Sequence, residues 1–228
     1  MNGAHALRGS AQTLLLLKVT LGPLMVALSH YLGKLKGHGM GGRLIGLPIT
    51  TGPFILIISI QEGTQFGKHA AHGVLLGQIA LAIYCWVYTF ISPRMNWLKA
   101  IAIATATVLT VGYATTHIPF TTTEALITLL IIWAIAMRFW PKTSTEPVFV
   151  QSPKWELPVR IAVTLTIFIG LAALAPHLGP NVSGALSTYP VIASVISAFN
   201  HRRYGLASTM ATLRGLMESF PVTIAFIA

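Results

Sequence analysis

Gly46-Leu-Pro-Ile-Thr-Thr-Gly-Pro53 interrupts one apolar run of the chain, and Gly184-Ala-Leu-Ser-Thr-Tyr-Pro190 interrupts another in the same way. Both read Gly, a short spacer, Ser/Thr-Thr-x-Pro, then an apolar stretch. Proline removes a backbone donor and clashes with the preceding turn, so each segment kinks or breaks a helix. In hydrocarbon such a break is tolerated only where it is buried in protein or lines a cavity. The rest of the chain says whether hydrocarbon is the solvent.

It is. The 228 residues are 54% hydrophobic and only 9% charged, whereas a soluble domain carries about 25% charged residues. So few charges cannot coat a water-exposed surface of this size. At roughly 20 residues per span, the length holds about eight spans. Apolar runs place them at 12–32, 44–61, 69–92, 97–115, 122–140, 158–178, 182–200 and 205–228. The expected fold is therefore all-α and polytopic, with about eight transmembrane helices. The 141–157 segment (PKTSTEPVFVQSPKWEL) holds three prolines and is the natural connector between a first half, 1–140, and a second, 158–228. The N-terminal apolar run holds Lys18 and lacks a small-x-small cleavage site, which reads as a retained first helix.

The loops after the first, third, fifth and seventh spans carry Lys34, Lys36, Arg43, Arg94, Lys99, Arg138, Lys142, Lys154, Arg202 and Arg203. The other loops carry only Arg8 and Lys68. This bias puts the first set in the cytoplasm and both termini outside an inner membrane. It also accounts for the net charge of +10 without nucleic acid as a partner.

The two Pro segments belong to a longer repetition. Phe66-Gly67 matches Tyr204-Gly205, and Gly77 matches Gly215. Lys18 and Arg160 each stand near the start of an apolar helix. Units 12–92 and 158–228 thus share one order of features, with two extra helices completing the first half. An odd number of spans separates them, so the copies enter the membrane from opposite sides. Inverted repeats with interrupted helices point to a secondary transporter. The Lys18-bearing helix, Gly46-Leu-Pro-x-x-x-Gly-Pro53, a short polar loop and Phe66-Gly67 also resemble the small GlpM-type membrane proteins. The likeness covers 12–92 and, more faintly, 158–215. Those proteins are roughly half this length, with about four spans. The resemblance implies an inner-membrane protein linked to exopolysaccharide production, and it carries over no catalytic residue.

Several side chains could serve a polar solute. Thr50, Thr51, Ser187, Thr188 and Tyr189 flank the Pro breaks and offer hydroxyls, although such hydroxyls also bond to their own helices. Lys18, Arg160, Arg214 and Glu218 fall within spans, where charges are costly and functional by default. Lys18 and Arg160 lie close enough to a helix end to snorkel. Arg214 and Glu218 are four apart on one helix face. They form either a structural ion pair or an anion site with a proton-accepting carboxylate. His69 and His72 share a face near Glu62 and are candidate proton relays. No metal, cofactor or catalytic group is expected. The lone Cys85 has no partner, no His-Glu-x-x-His or Walker sequence is present, and the complete lack of Asp excludes an Asp-rich magnesium–diphosphate site.

The sequence therefore points to a secondary transporter for a small anionic or polar solute, not an enzyme. The solute would bind between the two Pro-interrupted helices, with a proton as candidate coupling ion. The alternatives are a flippase for an anionic lipid carrier and a non-transporting membrane scaffold or assembly factor. The bilayer is the expected partner, and a homo-oligomer is compatible with the chain.

Overall fold

Three glycines, Gly37, Gly63 and Gly205, have left-handed backbone (φ 89°, 89° and 79°), and each one turns the chain back on itself. A side chain in that conformation crowds its own carbonyl, which is why glycine stands at all three. The computed structural model describes residues 20–49, 51–115, 117–118, 120–141, 152–174, 177–178, 182–183, 186 and 188–227. Among them helix is the only regular structure of any length. Helix α1 spans 20–36 and α2 His38–Gly46, with Gly37 between them. Helices α3 (Thr51–Glu62) and α4 (Thr64–Ile91) flank Gly63. A 3-10 turn at Ser92–Arg94 leads to α5 (Trp97–Thr115) and α6 (Thr122–Arg138). Then come α7 (Glu156–Leu174), α8 (Val191–Glu218) and α9 (Phe220–Ile227). Gly205 divides α8 into arms 191–204 and 206–218.

The turns are tight hairpins. Ser29 Oγ donates to the Gly41 carbonyl at 2.9 Å across the first. Across the second, a Cβ on Gly67 would stand 2.0 Å from Ser59 Oγ. Asn200 Nδ2 donates to Thr212 Oγ1 at 2.9 Å across the third. The sequence match of Phe66-Gly67 to Tyr204-Gly205 is therefore displaced. The counterpart of Gly205 in conformation is Gly63, and Gly67 serves as the small residue that lets Ser59 approach.

Close contacts give the helix directions. Along α2 and α3, Gly39, Gly42, Gly46 and Gly52 lie beside Ala211, Thr212, Leu216 and Phe226 in turn. Helices α2 and α3 thus run in the same sense as 206–227, broken only at Leu47–Ile49, where Leu47 is extended (ψ 151°). Tyr84 and Tyr88 of α4 meet Ser197 and His201, so α4 parallels the 191–204 arm. Glu156 and Arg160 of α7 meet Tyr204 and Asn200, an antiparallel pair. Gly22 of α1 lies against Phe168 of α7. The Gly37 and Gly205 turns, the end of α4 and the starts of α5 and α7 therefore share one end of the molecule. The Gly63 turn lies at the other.

Small residues draw the helices together. On α5 the buried positions Ala100, Ala104, Val108 and Gly112 recur every fourth residue and face α4 and α8. Small residues at this spacing let helix backbones approach in an apolar solvent. At the start of α6, Thr121 Oγ1 accepts from the Glu124 amide, and the Glu124 carboxylate accepts from the Thr121 amide. This capping box satisfies two of the amides that a helix start leaves unpaired. By length and composition, Gly67–Arg94, Trp97–Thr115 and Glu156–Leu174 can each cross a membrane. The chain is thus a helical protein with spans of membrane type.

Candidate functional site

The most enclosed polar cluster lies at the end marked by Gly37 and Gly205. Four residues separate Glu156 from Arg160 on α7, one helical turn, so the two side chains stack on the same face. Arg160 Nη2 and Nε donate to Glu156 Oε1 at 2.6 and 3.1 Å. The side chains are 2% and 1% exposed. Arg160 Nη2 also donates to Asn200 Oδ1 at 2.9 Å, and Tyr204 donates its hydroxyl proton to Glu156 Oε2 at 2.7 Å. Ser152 Oγ contacts the same Tyr204 hydroxyl. The guanidinium stands over the Phe199 and Tyr204 rings at 5.1 and 6.0 Å.

The Gly205 hairpin assembles this network. Asn200 stands on the arm before the turn and Thr212 on the arm after it. Their bond links the Arg160 partner to the opposing strand of the hairpin, and Thr212 Oγ1 in turn donates to the Ser208 carbonyl at 2.8 Å. The Gly37 hairpin closes the other side with Ser29, His30, Gly33, Lys34 and His38. These residues, with Ser152, Arg160, Asn200, Tyr204 and Thr212, line a cavity of about 20 Å³. That is room for about one water molecule. His38 also lies on the Tyr204 ring, with centroids 4.8 Å apart.

A buried ion pair is a poor device for stability alone, because desolvation offsets most of its attraction. Arg160 and Lys34 both line the cavity, and the one carboxylate nearby, Glu156, is bonded to Arg160 and is not among the lining residues, so the wall is positive. Among the described residues, Arg160 Nη1 has no protein acceptor, and the guanidinium borders the cavity. The arrangement presents a guanidinium to a polar space with room for about one water molecule.

The residues expected from the sequence fall elsewhere. Lys18, Thr50 and Ser187 lie outside the described residues. Thr51 opens α3 with its hydroxyl buried and, among the described residues, unbonded. Tyr189 turns toward α5, where its hydroxyl meets Thr105 Oγ1 at 3.1 Å, and Thr188 precedes it. The 46–53 segment faces α8 and α9 instead, with Thr223 Oγ1 donating to the Gly46 carbonyl at 2.6 Å. No described residue of either segment lines the Arg160 cavity. His69 and His72 sit toward the Gly63 end, away from the Arg160 cavity. His69 Nδ1 bonds the Gln65 carbonyl, and His72 Nδ1 meets Thr122 Oγ1 at 3.3 Å in an open depression.

Arg214 and Glu218 do pair, Nε to Oε1 at 3.1 Å, and Arg43 of α2 joins them, Nη2 to Oε2 at 2.8 Å. The sequence had Arg43 in a loop and Arg214 deep. In the structure Arg43 is helical, and both arginines are half exposed on the outer surface. Glu156, Asn200 and Thr212 belong to no motif of the sequence, and Tyr204 stands out there only beside Gly205. The spacing Glu156-x-x-x-Arg160 was the readable one.

No protein-family model, curated protein or solved structure matches the chain. Among the described residues, no group of three or more His, Cys, Asp or Glu is placed to hold a metal ion.

Proposed function

We propose that the chain is a secondary membrane transporter for a small anionic or polar solute, and that the solute engages Arg160 at the junction of two inverted halves. One observation carries the reading: Arg160, paired with the buried Glu156, borders a small cavity shared by α1 and α2 of one half and α7 and α8 of the other. Substrate sites of inverted-repeat transporters lie between the repeats, near the bilayer midplane, and this cavity lies between the halves toward the Gly37–Gly205 end.

Helix directions support the inversion. Helix α1 runs against α7, α3 against the 191–204 arm, and α4 against the 206–218 arm. Gly63 and Gly205 turn the corresponding hairpins with matching φ. On this reading α2 and α3 form one interrupted span, and the chain crosses the membrane eight times. Lys34, Arg94, Lys99, Arg138, Lys154, Arg202 and Arg203 then gather at the Gly37–Gly205 end, which fits a cytoplasmic face. The likeness to GlpM-type proteins covers α1 to α4 and fits a duplicated unit.

The chemistry follows from competition. Arginine stays charged at any accessible pH. An anion that enters must first widen this one-water cavity, and it then competes with Glu156 for the guanidinium. The carboxylate so released is free to accept a proton, and anion and proton uptake become linked. Substituted cysteines test the site. Ser29→Cys and Ser152→Cys, each in a Cys85→Ala background, should react with a small thiol reagent from the Gly37–Gly205 face. A transported carboxylate or phosphate should protect both. Labelling that no anion in a panel slows would count against the assignment.

A further inference from the structure

The Arg43–Glu218–Arg214 cluster lies in an unusual place for a surface ion pair. Arg43 is six residues past the Gly37 turn and Arg214 nine past the Gly205 turn. At 1.5 Å per residue these are depths of about 9 and 14 Å from the turns. On the eight-span reading proposed above, with the two turns at the membrane surface, a hydrocarbon core about 30 Å thick places the cluster below that surface. Both arginines are about half exposed there, 52% and 51%. They cannot swing to the surface without leaving Glu218, which holds Arg43 through both Nε and Nη2. Two arginines on one glutamate leave one positive charge unmatched.

What continues from the cluster is apolar. The backbone stays helical through Ser219 (φ −87°, ψ −9°), so Val222 and Phe226 extend the face of Arg214 and Glu218 at successive turns. Both are exposed, as is Ile49. Phe226 lies against Gly52, so α9 packs close to the start of α3. A cationic position beside exposed apolar side chains has the chemistry of an amphiphile site.

We propose that Arg43 and Arg214, tied together by Glu218, bind the phosphate of an anionic membrane lipid, with its acyl chain along Ile49, Val222 and Phe226. The site does not depend on transport through the Arg160 cavity. With the turns at the membrane surface, it also places a lipid phosphate deeper than the headgroup plane.

Delipidated protein in detergent, titrated separately with phosphatidylglycerol, phosphatidylcholine and inorganic phosphate and read by native mass spectrometry, tests it. Phosphatidylglycerol should be retained about tenfold over phosphatidylcholine. Arg43→Gln/Arg214→Gln should abolish that preference, Arg43→Lys/Arg214→Lys should keep most of it, and Lys68→Gln at the far end should leave it unchanged. Equal retention by the double Gln variant would overturn the site. So would full displacement of the lipid by millimolar phosphate, which marks a free-anion site. A dimer that only the double Gln variant dissolves would make a second copy the occupant and would equally overturn it.

Discussion

Gly42 and Thr212 meet backbone to backbone: a methyl group on Gly42 would stand 1.8 Å from the Thr212 carbonyl oxygen. Gly46 and Gly215 repeat the arrangement, with 2.3 Å to the Leu216 oxygen and 2.1 Å to the Gly39 oxygen. No rotamer change relieves a clash with a carbonyl, so the helices must separate. Gly42→Ala should lower unfolding stability by about 1–3 kcal/mol or more. Gly170→Ala, with open space around its Cβ, should raise it by about 0.5–1 kcal/mol. Denaturant titration in mixed micelles measures both, and equal effects would show that α2 does not pack on α8 at this distance.

The buried pair makes a second expectation. Arg160→Met leaves the Glu156 carboxylate buried without its cation and should cost about 3–5 kcal/mol. Glu156→Gln/Arg160→Met removes both charges and should recover most of that loss. The same titration completes the double-mutant cycle, and a coupling well below about 1 kcal/mol would mean that the two charges do not face each other.

Breaking a turn should act through conformation alone. Nothing lies within 4 Å of a Cβ on Gly205, whose φ is 79°. Gly205→Ala therefore meets no steric neighbour but is forced into a positive-φ, extended-ψ backbone (ψ −176°) that is essentially open to glycine alone, at a cost of about 1–3 kcal/mol. Thermal unfolding in detergent reads this. An unchanged midpoint would mean that the two arms of α8 are not folded at a positive-φ turn.

The membrane class was legible because charge content and apolar run length depend on composition alone, and α5 kept its expected bounds, 97–115. The Thr121–Glu124 box is local too, and α6 begins within a residue of its expected start. The site was less legible. Glu156 and Tyr204 are 48 residues apart, and their bond exists only because the 191–204 arm runs back along α7. Matching residue types in the two halves selected Gly67, since Phe-Gly resembles Tyr-Gly. The backbone needs a positive φ at Gly63 instead, a requirement that residue type alone does not reveal. Arg43 was assigned to a loop because a nine-residue helix, His38–Gly46, is too short to register as a span.

Orientation is open to a direct check. Arg203→Cys lies at the Gly37–Gly205 end and Gln65→Cys at the Gly63 end, both exposed. In a Cys85→Ala background and intact cells, an impermeant maleimide should label position 65 and spare position 203. The reverse pattern would invert the topology drawn from the basic residues.

The most direct measurement of the central claim is solute flux in proteoliposomes. Wild-type protein and the Glu156→Gln/Arg160→Met variant, which should remain folded, are compared over a panel of labelled phosphate and small mono- and dicarboxylates. The account predicts uptake of at least one anion well above protein-free vesicles, and its loss in the variant. Background flux for every anion with wild-type protein, or undiminished flux through the variant, would contradict it.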